Sequence, residues 1–353
     1  MDKAQLHFDV LEGRTDYIPL VINIKPREYD KPYNLTPWQA MHDPKGQIEA
    51  FLKNNEFNLQ FPTDRVVTIE SNFLECLIPS MFGAETYSSP GGWVDVKPCI
   101  DDITEFENIE ITDGVLKQAE EHVLYLKNNV PDNVQVAMTR FMSPLDCGAV
   151  MRGGDFYLDL LCEPEYSYKF MEKIAHLSID TINHFKKLIG EPEDRQLSAS
   201  TGFWIHGTRI TGDAIVNVSP DTIREVLSPI FGIFKERLGG VVLHYCCTPA
   251  PSGHVLPTLA ECGTVRAVDN WQGYKTFFNE TGDGMLQDKV GMFADFPISE
   301  VSDIEKFMEQ DIFSKVKRKG GRGFVVRTHA NTLDEAKSLY DRWQNYFAKK
   351  NML

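Results

Sequence analysis

The chain has 353 residues, of which 42% are hydrophobic and 25% charged, a globular composition that excludes disorder, collagen and a small stapled scaffold. Lys and Arg number 36 against 51 Asp and Glu, a net charge of −15, so nucleic acid and anionic membrane surfaces are not expected partners. Length leaves the domain count open, because an α/β barrel can pass about 250 residues as one unit.

The opening stretch, Met1 to Pro19, lacks the basic and continuously apolar parts of a secretory signal, and no segment approaches the roughly 18 apolar residues of a membrane span. A soluble cytoplasmic protein with no membrane association is expected. The cysteines at 76, 99, 147, 162, 246, 247 and 262 are odd in number and lack disulfide-framework spacing, which predicts reduced thiols that mostly serve packing.

Eight runs rich in Val, Ile, Phe and Thr alternate with helix-like segments, the pattern of a parallel sheet with crossover helices. In chain order they are Pro19 to Ile24, Arg65 to Glu70, Val134 to Arg140, Leu197 to His206, Val241 to Cys246, Val265 to Trp271, Val290 to Phe296 and Gly323 to His329. Between them, Pro164 to Ile189 keeps Phe170, Ile174, Leu177, Phe185 and Leu188 on one face, with Gly190 as its stop. Ser219 caps a second helix that Gly239-Gly240 ends, and Leu333 to Lys349 forms the last. Ser71 to Asp113 and Trp271 to Lys289 read as long irregular loops over a covered site. Eight strand signals without an internal linker predict an α/β fold, a single (β/α)8 TIM barrel domain over 1–353 with enlarged loops.

Barrel chemistry sits where strands end. Val242, His244 and Cys246 share a face, bringing an imidazole and a thiol to one mouth. They form half of a zinc site or, equally, a polar strand end with a buried thiol. His329, which shares its face with Val325 and Arg327, is the candidate third ligand, or a substrate-anion partner beside Arg327. The stretch WIHGTRITGD supplies His206, Arg209 and Asp213 as a base, an anion clamp and a carboxylate. Met151 to Asp159 lacks phosphate-loop spacing and reads as a turn before a helix, and no G-x-S-x-G hydrolase elbow is present.

Three blocks together resemble the uroporphyrinogen decarboxylase superfamily: LEGRTDYIP, RFMSPLDCGAVMRGGDFYLDLLCEPE, and NVSPDTIREVLSPIFGIFKERLGGVVLHYCC with its internal Pro229. The resemblance implies a single (β/α)8 barrel. It points to the cobalamin-dependent methyltransferase branch, because the Arg-Gln-Ala-Gly-Arg carboxylate grip of the true decarboxylases is replaced by KPREYDKPY and strand five ends in His-x-Cys. In that branch His244 and Cys246 match zinc ligands that activate a thiol, and the cobalamin is carried by a partner corrinoid protein. The family's third ligand, a Cys in a Gly-Cys-Gly turn, is His329 here, and Cys247 replaces the Gly after His-x-Cys. Other relatives use tetrahydrofolate, which the strand-end residues Asn23, Asp269, Asn270 and Asp295 could bind.

Three readings follow. The first is methyl transfer between a corrinoid protein and a small thiol or tetrahydrofolate, with His244, Cys246 and Asp213 catalytic and Asn23, His206, Arg209, Asp269, Asp295 and Arg327 binding substrate. The second is a divergent decarboxylase of a tetrapyrrole or other polycarboxylate gripped by Arg152, Arg209 or Arg327. The third is a noncatalytic barrel that binds a corrinoid or tetrapyrrole.

Overall fold

The computed structural model describes residues 2–25, 35–246, 253–269, 289–309 and 323–352. Cys247, Asn270 and nearly all of the loop expected from Trp271 to Lys289 lie outside them. The strands are β1 (Leu20–Ile24), β2 (Thr68–Glu70), β3 (Thr86–Ser89), β4 (Trp93–Val96), β5 (Gln135–Ala137), β6 (Phe141–Met142), β7 (Arg195–Ser198), β8 (Phe203–His206), β9 (Thr208–Thr211), β10 (Val241–His244), β11 (Ala267–Asp269), β12 (Gly291–Asp295) and β13 (Phe324–Ala330). Seven form a central parallel sheet in the order β1-β13-β12-β11-β10-β9-β6, and β2 pairs in parallel with β5. The third expected strand, Val134 to Arg140, is shorter than its run: it holds only β5, which pairs with β2, and β6, which pairs with β9, begins one residue past its end.

At the free edge of β1, side chains replace a backbone ladder. The N–H groups of Leu20, Ile22 and Ile24 point away from β13 and donate to Asp64 Oδ2 (2.8 Å), Thr63 Oγ1 (3.3 Å) and Asn58 Oδ1 (2.9 Å). These acceptors come from the segment that leads into β2. Buried N–H groups need partners, and here short polar side chains supply them.

The helices follow their apolar faces. Pro164–Ile189 is one helix, with Phe170, Ile174 and Phe185 fully buried. It ends where Gly190 takes φ 86° and donates its N–H to the Lys186 carbonyl. The second helix is irregular: Ser219 caps it as expected, but Ile223–Leu227 forms a π turn just before Pro229. A ring without an N–H removes one i to i−4 bond, and the wider turn accommodates that loss. Leu333–Lys349 packs Leu339, Trp343 and Phe347 inward. Ser71 to Asp113, expected to be irregular, carries a short helix (Leu77–Met81), the antiparallel β3–β4 hairpin and a 3-10 turn (Ile103–Asn108).

The fourth expected strand, Leu197 to His206, is a hairpin instead. β7 and β8 pair antiparallel, with Ser198 opposite Phe203 and Arg195 opposite His206. The fourth parallel strand is β9, Thr208–Thr211, which the composition places in a loop because it is short and polar; all four of its residues are buried. Gly207, at φ 89°, joins the two, and a Cβ there would lie 2.0 Å from the Gly240 carbonyl oxygen. The hairpin covers the amino-terminal ends of the strands. Phe203 and Ile205 join Val10 in one buried cluster with Val21, Val242, Ala267, Phe293 and Val325.

Candidate functional site

Each of those five apolar strand residues is followed two positions later by a polar one on the same face. Val21 leads to Asn23, Val242 to His244, Ala267 to Asp269, Phe293 to Asp295 and Val325 to Arg327. A dry layer therefore carries a polar layer at the carboxyl ends of the parallel strands.

Asp269 is the hub of the polar layer. It is 2% exposed, and Arg327 Nη1 meets its Oδ1 at 2.7 Å while Arg209 Nη2 meets Oδ2 at 2.9 Å. Arg327 also pairs with Asp295 at 2.8 Å. Burial alone would raise the Asp269 carboxyl, but Arg327 and Arg209 outweigh it and hold the pKa well below the usual carboxylate range. Burial raises Asp295, and Arg327 offsets that only in part.

His244 stands against Asp269, with its Nδ1 3.4 Å from Oδ2 but not in hydrogen-bond geometry. The other ring nitrogen, Nε2, lies 2.8 Å from Cys246 Sγ. Asp213 completes the group: its Oδ1 accepts the Cys246 N–H at 2.6 Å. The donor atoms of Asp213, His244 and Cys246 lie within 4.8 Å of one another. Nitrogen, sulfur and oxygen in a cluster suit zinc, and a carboxylate behind the ligating imidazole is the usual second support of such a ligand. The residues present fit the metal, with Asp213 as third donor.

The loop that presents Asp213 is tied on both sides. The Gly212 N–H donates to the His244 carbonyl at 2.7 Å, and the Ala214 N–H to Asp146 Oδ1 at 3.1 Å. Asp146 also accepts from Ser143 Oγ. Burial pushes the Asp146 carboxyl up to about 7.

The remaining expectations divide. His329 is exposed at the end of β13 and stands outside the Asp213, His244, Cys246 group, so the structure does not bring it to the pair as third ligand. His206 is a correction. It ends β8 of the covering hairpin, stacks on Phe8 and faces Glu12 at 3.6 Å, at the opposite ends of the strands from the polar layer. The cause is Gly207: the chain turns there and only then begins β9, placing His206 before the strand and not after it. Arg209 is on β9, buried, and reaches Asp269 from below. Asn23 accepts from Arg65 Nη1 at 2.6 Å. Arg152, at the end of the helix Pro144–Arg152, is engaged at 2.8 Å with Asp159 of the next helix, Phe156–Cys162.

Sequence reasoning passed over the Arg140 and Glu70 pair (2.6 Å), although each ends a strand run and the strand-end rule would have found both. Asp146 and Arg65 carried no such signal.

No family model matches the chain, and no curated protein matches its sequence. Its fold is similar to that of a methyltransferase from Methanosarcina mazei, with a TM-score of 0.63 over 98% of this chain and 99% of that one at 13% identity. Among the described residues no helix is long and apolar enough to cross a membrane. The chain shares the mixed α/β fold of that methyltransferase, with its polar layer at the strand ends where such folds do chemistry.

Proposed function

We propose that the chain is a cytoplasmic methyltransferase, a single closed (β/α)8 barrel that moves a methyl group between a cobalamin carried by a partner corrinoid protein and a small thiol or tetrahydrofolate. The observation that carries this reading is the convergence of Asp213, His244 and Cys246 at the strand ends, with His244 backed by Asp269. Cys246, His244 and Asp213 would hold zinc, which supplies a soft Lewis acid that keeps a thiol deprotonated at neutral pH. Asp269 lies on the Nδ1 side of the imidazole, and Nε2 faces the cluster. Arg209 and Arg327 keep Asp269 ionised, and Asp213 anchors the Cys246 backbone.

The decarboxylase reading finds less support. Arg209 and Arg327, which would grip substrate carboxylates, already face Asp269 and Asp295, and Arg152 faces Asp159.

Elemental analysis of the purified protein with His244→Ala and Cys246→Ala tests the site; stoichiometric zinc lost in both variants is expected. Incubation with methylcob(III)alamin and either a thiol or tetrahydrofolate tests the reaction, followed by the spectrum of cob(I)alamin. Absence of acceptor-dependent demethylation with both acceptors overturns the proposal.

A further inference from the structure

Asp146 is the third residue of the helix Pro144–Arg152, whose N-cap, Ser143, accepts the Asp146 N–H at 3.2 Å. In an ordinary capping box the acid at that position reaches back to the N–H of the N-cap residue. Here the Ser143 N–H is taken by the Thr211 carbonyl of β9 at 2.5 Å, and the Asp146 carboxyl turns to a different segment. Its Oδ2 accepts from the Ser143 hydroxyl, its Oδ1 accepts the Ala214 N–H at 3.1 Å, and the Asp213 N–H also bonds to it.

Those two N–H groups open the 3-10 turn Asp213–Asn217, and the N-cap of that turn is Gly212, which has no side chain to serve them. The first N–H groups of a helical turn find no partner within it. The missing cap therefore comes from Asp146, 68 positions before Ala214 in the chain. Asp146 is buried, whereas Asp213 is exposed, so the direction of the Asp213 carboxylate depends on how firmly its backbone is held. On its other side the turn meets β10: the Gly212 N–H donates to the His244 carbonyl at 2.7 Å, and Asp213 Oδ1 accepts the Cys246 N–H at 2.6 Å. Ser143 alone already caps its own helix, and the contacts that the Asp146 carboxyl makes beyond Ser143 all lie on the Asp213 turn.

We propose that Asp146 is a positioning residue for Asp213. It is a borrowed cap that fixes the turn so that the Asp213 carboxylate meets Cys246 and His244, and Ser143 orients Asp146 in turn. Its consequence for zinc rests on the reading of Asp213 as a donor at that site, whereas the tie between Asp213 and Cys246 can be measured without metal.

The test uses the full chain with isotope-labelled cysteine and NMR. The Cys246 amide is assigned by its loss in Cys246→Ser, its hydrogen exchange is followed in metal-free protein, and zinc affinity is measured beside it by competition with a chelator. Asp146→Ala is expected to speed exchange of the Cys246 amide and to weaken zinc binding about tenfold or more, and Asp213→Ala to do both as well. Because Asp146 acts through Asp213, the double variant is expected to be no worse than Asp213→Ala alone. Asp146→Asn keeps an oxygen for the Ala214 N–H and is expected to rescue both quantities to within a few fold of wild type. Should Asp146→Ala not fold, Ser143→Ala is expected to move both in the same direction by a few fold. If wild type holds no zinc, the exchange cycle still decides the positioning role, and the metal reading fails alone. A Cys246 amide that exchanges in wild type as fast as an unstructured one, unchanged exchange in Asp146→Ala and Ser143→Ala, or an undiminished Asp146→Ala effect in the Asp213→Ala background overturns the proposal.

Discussion

Asp269 has the most demanding position of any single residue. It is buried between two guanidiniums and beside an imidazole, so its removal leaves Arg209 without a carboxylate partner among the described residues, leaves Arg327 with Asp295 alone, and takes away the carboxylate beside the His244 ring. Breaking a buried charge pair by deleting one partner costs about 3 to 5 kcal/mol. Asp269→Ala is expected to lose stability of that order in urea denaturation, with zinc affinity lowered about 10- to 100-fold through loss of support to its ligand. A variant as stable as wild type would show that the arginines find other partners. The same scale separates the two candidates for third donor. Asp213→Ala is expected to lower zinc content and His329→Ala to leave it unchanged, measured by elemental analysis after dialysis; the opposite pattern would restore His329.

Among elements, the edge of β1 and the covering hairpin mark what could and could not be read from the chain. Helices with long apolar faces, such as Pro164–Ile189 and Leu333–Lys349, are legible because 3.6-residue periodicity needs only local sequence. The hairpin is not. Leu197 to His206 has the composition of one strand, and only the left-handed backbone at Gly202 and Gly207 shows that it folds back and that the parallel strand starts at Thr208. His206 therefore precedes the parallel strand and lies at the opposite end of the sheet from the polar layer. The seam was equally hidden, because Asp64, Thr63 and Asn58 act as acceptors for β1 only once the chain has returned to it. Asp64 also takes the Tyr17 hydroxyl at 2.6 Å and the Tyr340 hydroxyl, joining the last helix to β1. Asp64→Ala orphans three donors and is expected to cost roughly 3 to 5 kcal/mol, against about 1 kcal/mol for Tyr340→Phe. Equal costs for the two, by equilibrium unfolding, would mean that water fills the place of the carboxylate.

For the molecule as a whole, strand-end chemistry was legible from alternation alone for His244, Cys246, Asp269, Asp295 and Arg327, whereas Asp146 and Arg65 act through contacts between distant segments. Such buried polar groups also set how stability responds to pH. His7 and His122 are buried, and burial lowers the pKa of each to about 4. The His7 ring is locked neutral, with Nδ1 accepting the Trp204 N–H at 3.0 Å and Nε2 facing the Asp64 carbonyl at 2.6 Å. In the unfolded chain a histidine takes its proton near 6.5. Between about 6.5 and 4 the unfolded state therefore binds more protons, so the stability these residues give is complete above 6.5 and lost as pH falls toward 4. Linkage makes this on the order of 3 kcal/mol for each. Glu191 and Asp146 act in the opposite direction. Burial pushes both up to about 7, so the folded state holds their protons and gains stability over the same fall in pH. The total curve is a contest between the two sets and by itself identifies neither. The informative quantity is the difference between wild type and His122→Gln, whose side chain cannot titrate. That difference is expected to shrink by a few kcal/mol from pH 7 to pH 4 in urea denaturation series, and parallel curves would show that His122 takes its proton in the folded protein with the same pKa as in the unfolded chain.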